Sequence, residues 1–285
     1  MAGWEFEAKR LIPRLLRRAM GRRAFVRLTR FLYNEARLDT PNVEIRHNGE
    51  LLVQRVVVRN APSDRELVVF DVGAHVGEWT TYLLEECKAN GVERLRAYCF
   101  EPCADSRPVL EQAIRESDGS AHVTVIASAA SDAVGTADLH ITGGGVSSLY
   151  EQATRATIEV AHVETTTLDL FCDRAGIERI DLVKVDTEGH DMAVLRGAKR
   201  LLEHKAIGAL QFEYNHRWVM SRAFLRDAFA LLGPLGYRVG KVTPRGIEFY
   251  DRWHPDLETF SQGNYLACTE AWERRFPAIP WYRDA

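Results

Sequence analysis

The chain has 285 residues, enough for one large domain with an appendage or two small ones. Hydrophobic residues make up 46% and charged residues 27%, which excludes disordered, collagen-like and coiled-coil classes. The net charge of -3 conceals an asymmetry. Residues 1–37 hold ten Lys or Arg against Glu5, Glu7 and Glu35, so the remainder is acidic.

No apolar stretch reaches the roughly 18 to 20 residues that cross a bilayer, and the opening MAGWEFEAKR lacks the apolar run of a signal peptide. A cytoplasmic protein is expected. Within the basic start, Leu11, Leu15, Leu16, Met20, Leu28 and Phe31 fall on helical spacing with arginines between and Pro13 near the beginning. The spacing predicts a helical extension over 1–62. Its two readings are a cap helix with solvated arginines and, over residues 9–37, a peripheral contact with a membrane or an anionic lipid. The acidic remainder carries no RNA-binding motif, so no nucleic-acid partner is expected.

Ala61, Pro62, Ser63 and Asp64 mark a boundary, and a single α/β domain is expected over 63–285. Within it, short runs rich in Val and Ile alternate with segments of helical period, the pattern of a parallel sheet flanked by helices. Strands are predicted at 67–72, 96–100, 123–127, 180–185, 207–212, 237–242 and 265–269. Helices are predicted around 78–89, 105–116, 168–174, 190–204 and 220–232. Residues 132–167, with Gly143, Gly144 and Gly145, read as a hairpin insertion, and 244–263 as an irregular stretch. Tyr250, Trp253 and Phe260 in that stretch could face an acceptor or seal the core. Cys87, Cys99, Cys103, Cys172 and Cys268 lack CxxC spacing and read as ordinary thiols.

The strongest local signal is VVFDVGAHVGEWT, a buried strand that ends in Asp71 and turns through Gly73 and Gly77 into a helix. Glycine serves where a backbone turns sharply and a ligand approaches closely. His75 occupies the place of a dinucleotide fingerprint's second glycine. Asp71 would repel a pyrophosphate but suit a cation such as the ammonium group of S-adenosylmethionine (SAM). The next strand ends in FEP, where Glu101 can accept hydrogen bonds from ribose hydroxyls of SAM or of a nicotinamide dinucleotide. Two later strand ends carry polar clusters: Asp186, Glu188, His190 and Asp191, then Glu213, Asn215, His216 and Arg217.

The runs DVGAHVGEW, FEP, IASAASD, VETTTLDLF, IDLVKVDTEGHDMAVLRGA and LQFEYN, in this order, resemble the FkbM-type SAM-dependent methyltransferases over about residues 66–270. The resemblance implies a class I methyltransferase (Rossmann-like) sheet of seven strands with the last antiparallel, and methyl transfer to a hydroxyl, often on a sugar of a natural product or glycolipid. It also implies that Asp71, Gly73 and Gly77 form the methionine loop with His75 in its lining, that Glu101 is the ribose acid, and that Ser128 and Ala129 lie beside adenine. His75 stands where the family commonly has Asn, and GHD at 189–191 where GxE is usual. Asp186 is a candidate on both the cofactor and the acceptor side.

SAM already carries a good leaving group, so the protein must align a hydroxyl and accept its proton. Asp186, Glu188, His190, Glu213 and His216 are the candidates. Asp186, Glu188 and Glu213 could alternatively hold Mg²⁺ as hard oxygen ligands. A SAM-binding protein without catalysis is the rival of another class.

Overall fold

A computed structural model describes residues 2–39, 44–119, 122–142, 147–151 and 156–283. The three glycines of the predicted hairpin insertion lie outside the described residues. The chain divides into two compact units, Met1–Thr40 and Pro41–Ala285, earlier than the 62/63 boundary expected from the loop formers. Two helices that the sequence assigned to the extension therefore belong to the larger unit.

The first unit is built on α1 (Ala2–Ala36), in which Gly21 has φ 80° and ψ 157° and interrupts the helical geometry. The helix begins well before Pro13, so this proline falls inside it and not in its first turn.

The second unit opens with α2 (Ile45–Asn48) and α3 (Glu50–Arg59). Gly49 joins them at φ 98°, and a Cβ there would stand 2.5 Å from the Thr243 carbonyl oxygen. Then follow β1 (Leu67–Val72), α4 (Glu78–Ala89), β2 (Leu95–Phe100), α5 (Ser106–Glu116) and β3 (Val123–Ile126). A smaller sheet comes next, from β4 (Ala129–Ala130), β5 (Gly135–Thr142), β6 (Ser147–Ser148) and β7 (Thr157–Thr166). In it β5 and β7 pair antiparallel, as the predicted insertion requires. The chain continues through α6 (Leu168–Ala175), β8 (Ile180–Val185), α7 (Asp191–Arg196), α8 (Lys199–Glu203), β9 (Ile207–Tyr214), α9 (Leu225–Leu232), β10 (Tyr237–Thr243), β11 (Gly246–Tyr250), β12 (Gly263–Thr269), α10 (Glu270–Glu273) and β13 (Ala278–Ile279).

The large sheet has the order β13-β11-β10-β12-β9-β8-β1-β2-β3. Strands β3, β2, β1, β8 and β9 run parallel, and β12 runs antiparallel to both of its neighbours. Among the described residues the sheet has nine strands, not the expected seven. The additional ones are β11, which forms a hairpin with β10 inside the stretch read as irregular, and the short β13 beside it. Strand β11 is buried along its whole length, so it shows no polar alternation to mark it as a strand. The single helix predicted at 190–204 is two, because the chain breaks at Gly197, where a Cβ would stand 1.9 Å from the Ser131 carbonyl oxygen.

Alternation along the strands separates the two faces of the sheet. Val68, Phe70, Val72, Val183, Val185, Leu210 and Phe212 join one core, which includes Leu168 of α6 and Leu225 of α9. Leu67, Val69, Leu182 and Ala209 join the other, with Val53 and Val57 of α3 and Leu83 of α4. By the same period Asp71, Lys184 and Gln211 share the second face. Chain order reverses between β1 and β8, and the residues beyond their carboxyl ends form the crevice where open α/β sheets bind ligands. Tyr250 is 2% exposed, Trp253 donates to Glu258 Oε2 at 3.0 Å, and the Phe260 ring packs 5.7 Å from that of Tyr214, so all three belong to the core packing. The five cysteines are buried and free.

Candidate active site

A cavity of about 220 Å³ opens at this crevice. Its floor is the turn after β1: Gly73 and Ala74 donate backbone N–H bonds to Phe100 O at 3.0 and 3.1 Å, and Asp186 N donates to Val72 O at 2.9 Å. The first two hold the turn to the end of β2, and the third draws the chain after β8 against the end of β1. A Cβ on Gly73, at φ 83°, would lie 1.9 Å from the Asp186 carbonyl oxygen, so only glycine fits. Gly77, at φ 86°, begins α4 with a Leu110 methyl 2.7 Å from where its Cβ would be.

Glu101 lines the cavity and is 3% exposed. His75 N donates to its Oε2 at 2.7 Å and Cys103 N to its Oε1 at 2.8 Å. Burial raises its pKa, while these two N–H bonds work in the opposite direction. Each oxygen keeps a lone pair with which to accept a further hydroxyl. His75 lines the wall at φ 50°, and Ala129 contributes to it, while Ser128 is not among the lining residues.

Asp71 is placed otherwise than the sequence suggested. It is 2% exposed and lies behind the lining, on the sheet face covered by α3 and α4. Its Oδ2 accepts from Thr80 Oγ1 at 2.6 Å, and its Oδ1 lies 3.5 Å from Lys184 Nζ. Lys184 does line the cavity, and its ammonium also stands 3.4 Å from Asp186 Oδ2. Burial alone would lower the Lys184 pKa, but Asp71, Asp186 and Glu50 outweigh it and raise it. Glu50, from α3, reaches the same wall and accepts from Asn48 Nδ2 at 2.6 Å and Gln211 Nε2 at 2.8 Å. Burial raises its pKa against the pull of Lys184.

The candidate bases divide. Asp186, Glu188 and His190 line the cavity, whereas Glu213 and His216 do not. Glu188 sits at φ 56° and forms an ion pair with Arg217 Nη1. His190 is 8% exposed and stands at the N-cap position of α7 without a side-chain capping bond. Its Nε2 lies 2.9 Å from Ser131 Oγ and its Nδ1 3.1 Å from Tyr150 OH. Burial lowers its pKa to about 4, so the ring is neutral near pH 7. Glu213 is held by Asn215 Nδ2 and by Gln262 Nε2, the latter at 2.9 Å. Burial, reinforced by Asp186, Glu188 and Asp191, raises its pKa well above the carboxylate range. His216 is exposed on a short 3₁₀ turn, its pKa lowered by partial burial and by Arg217. Among the described residues no three His, Cys, Asp or Glu side chains are grouped to hold a metal ion. Asp186, Glu188 and Glu213 form no such group and Glu213 lies off the cavity, so they do not fit the alternative of Mg²⁺ ligands.

The family model described as the methyltransferase FkbM domain matches residues 71–239, more than half of the chain. The chain belongs to the FkbM methyltransferase family. The match spans the glycine turn, Glu101 and every candidate base. No curated protein matches the chain. Among solved structures it is similar to a methyltransferase FkbM from Methylobacillus flagellatus KT, with 20% identity, 71% of this chain covered and a TM-score of 0.45. The chain spans 44% of that protein's length. Cofactor-bound Rv0187 from MTB shows 13% identity over 85% of this chain and 88% of its own, with a TM-score of 0.44. The O-methyltransferase TomG from Streptomyces achromogenes shows 11% identity over 77% and 79%, with a TM-score of 0.42.

Several contributors to this FkbM site were not found in the sequence. Lys184 did leave a signal, as a lone cation in the apolar strand IDLVKV. Glu50 left none, since its helix was assigned to the extension. Ser131 lies in the run IASAASD but was not singled out, and Ser148 and Tyr150 come from within the insertion, where no motif points at the site.

Proposed function

We propose that the chain is a SAM-dependent O-methyltransferase that acts on a hydroxyl of a small, sugar-bearing acceptor. The observation that carries this reading is that the glycine turn, Glu101 and the acids beyond β8 line one cavity within the FkbM match. The residues fit the cofactor. Gly73 lets the backbone approach closely, Glu101 offers fixed acceptor oxygens for a ribose, and two lining residues, Trp79 and Thr187, hold buried polar atoms without a hydrogen-bond partner among the described residues (Nε1 and Oγ1).

SAM would supply an activated methyl group on a sulfonium. The chain's own residues have the remaining tasks. Asp186 and Glu188 offer carboxylates at the cavity wall to orient the acceptor hydroxyl and take its proton. Lys184 holds Asp186 through its ion pair, and Arg217 holds Glu188. Ser147 and Ser148, with the neutral His190, add polar groups that suit a hydroxylated acceptor.

Incubation with SAM and a panel of glycosides, followed by release of S-adenosylhomocysteine, tests the reading. Release that depends on a sugar hydroxyl supports it. SAM binding without transfer to any hydroxyl would instead favour the non-catalytic SAM-binding reading.

A further inference from the structure

Helix α1 carries an unusual concentration of exposed apolar side chains. Leu11, Ile12, Leu15, Leu16 and Met20 before Gly21, and Val26, Phe31, Leu32 and Tyr33 after it, are between 40% and 66% exposed. Seven arginines lie between positions 14 and 30, and Glu35 is the only acid from residue 11 to residue 36. All seven are exposed.

Taken as one continuous rod, the helix does not gather its apolar residues on one side. Each segment taken separately does. At roughly 100° per residue, Leu11, Ile12, Leu15, Leu16 and Met20 occupy about half of the circumference, and Arg14, Arg17 and Arg18 the other half. On the second segment Phe25, Leu28, Phe31 and Leu32 lie within about 120° of arc by the same count, with Arg23, Arg27 and Arg30 on the other side, while Val26 and Tyr33 fall at the margin beside Arg22. Carried through a straight helix, the two apolar faces would point in nearly opposite directions. Gly21 stands where they meet, and its backbone is the non-helical one.

We infer that residues 11–36 are two amphipathic segments, re-phased at Gly21, that lie on an anionic lipid surface. Neither segment can span a bilayer, since no helix among the described residues is long and apolar enough. A helix with an arginine face and a Leu, Phe and Met face is instead suited to the boundary between headgroups and acyl chains. Arginines paired with lipid phosphates supply the attraction. A nucleic acid would satisfy the arginines and leave the apolar faces in water. A second copy would cover the apolar faces but bring two sets of seven arginines together.

Sedimentation of the full-length chain with vesicles tests this. Vesicles of phosphatidylcholine with about 30% phosphatidylglycerol should bind the chain at least 10-fold more strongly than phosphatidylcholine alone, because the attraction accumulates over several arginine contacts. Binding should weaken as salt is raised. Leu15→Glu with Leu16→Glu, and separately Phe31→Glu with Leu32→Glu, should each lower binding about 10-fold. These positions are exposed, so the thermal midpoint should not move. Gly21→Ala, which meets nothing within 4 Å, should also weaken binding by favouring the straight helix that sets the faces apart. Equal binding to neutral vesicles, no binding to either, capture by DNA or RNA that survives the Leu→Glu changes, or a dimer that those changes dissolve would each overturn the inference.

Discussion

Lys184 Nζ lies 3.5 Å from Asp71 Oδ1, and the two residues stand opposite each other in the parallel register of β1 and β8. The pair turns an acid that the glycine motif offers to a ligand into part of the supporting layer beneath the cavity. Lys184→Met would leave a carboxylate that is 2% exposed beside Asp186 and Glu50 without its cation. Removal of one partner of a buried pair costs about 3 to 5 kcal/mol. Urea denaturation should show a loss of that size, and Asp71→Asn added to Lys184→Met should restore part of it. An unchanged midpoint in the single variant would mean that the pair does not hold the two strands.

Glu101→Gln should weaken SAM and S-adenosylhomocysteine together by about 10-fold or more, within the range for hydrogen bonds to charged groups. Glutamine has one acceptor oxygen, and its NH₂ would face one of the two N–H donors, His75 or Cys103. Calorimetry with both ligands reads this. A change in turnover alone would move Glu101 to the acceptor side.

Gly73→Ala and Gly91→Ala make a controlled comparison. Both glycines have positive φ, but a Cβ at Gly91 meets nothing within 4 Å. Gly91→Ala should cost only the strain of the left-handed conformation, about 1 to 2 kcal/mol. Gly73→Ala should cost at least twice as much and abolish SAM binding, because the new methyl meets a backbone oxygen that cannot move aside. Similar costs for the two would show that the turn is free to shift.

For proton removal, Asp186→Asn or Glu188→Gln should lower turnover at saturating acceptor by about 100-fold, the scale of a general base. His216→Asn should leave it nearly intact, and Glu213→Gln should act mainly on stability, since neither residue lines the cavity. A rate limited by His190 would rise with pH through about 4, not through 6 to 7. A greater loss from Glu213→Gln or His216→Asn than from the other two would put the chemistry elsewhere.

The His190 depression also links stability to pH. The unfolded ring takes its proton near ~6.5 and the folded ring near about 4. The unfolded state therefore binds more protons between these values. The contribution is complete above ~6.5 and is lost as pH falls toward 4, by about 2 kcal/mol between pH 7 and 5. Between pH 7 and 5 the parent should lose about 2 kcal/mol more than His190→Asn in denaturation, a difference that removes the opposite slope both share from buried carboxyls such as Asp191, whose pKa is raised to about 8.

The sequence by itself determined the parallel sheet, the glycine turn and the acid at the end of β2. Each is written in residues close together in the chain: β-branched runs of strand length, glycine where φ is positive, an acid next to the strand that carries it. What covers each face of the sheet was decided only in three dimensions. Helix α3 brings Glu50 to Lys184 across 134 positions of sequence, Tyr150 reaches His190 from the inserted sheet, and Arg217 takes Glu188 from beyond the next strand. Burial and neighbouring charges together shift Glu50, Lys184 and His190, and both depend on packing between elements remote in the chain, so no local pattern of residues records it.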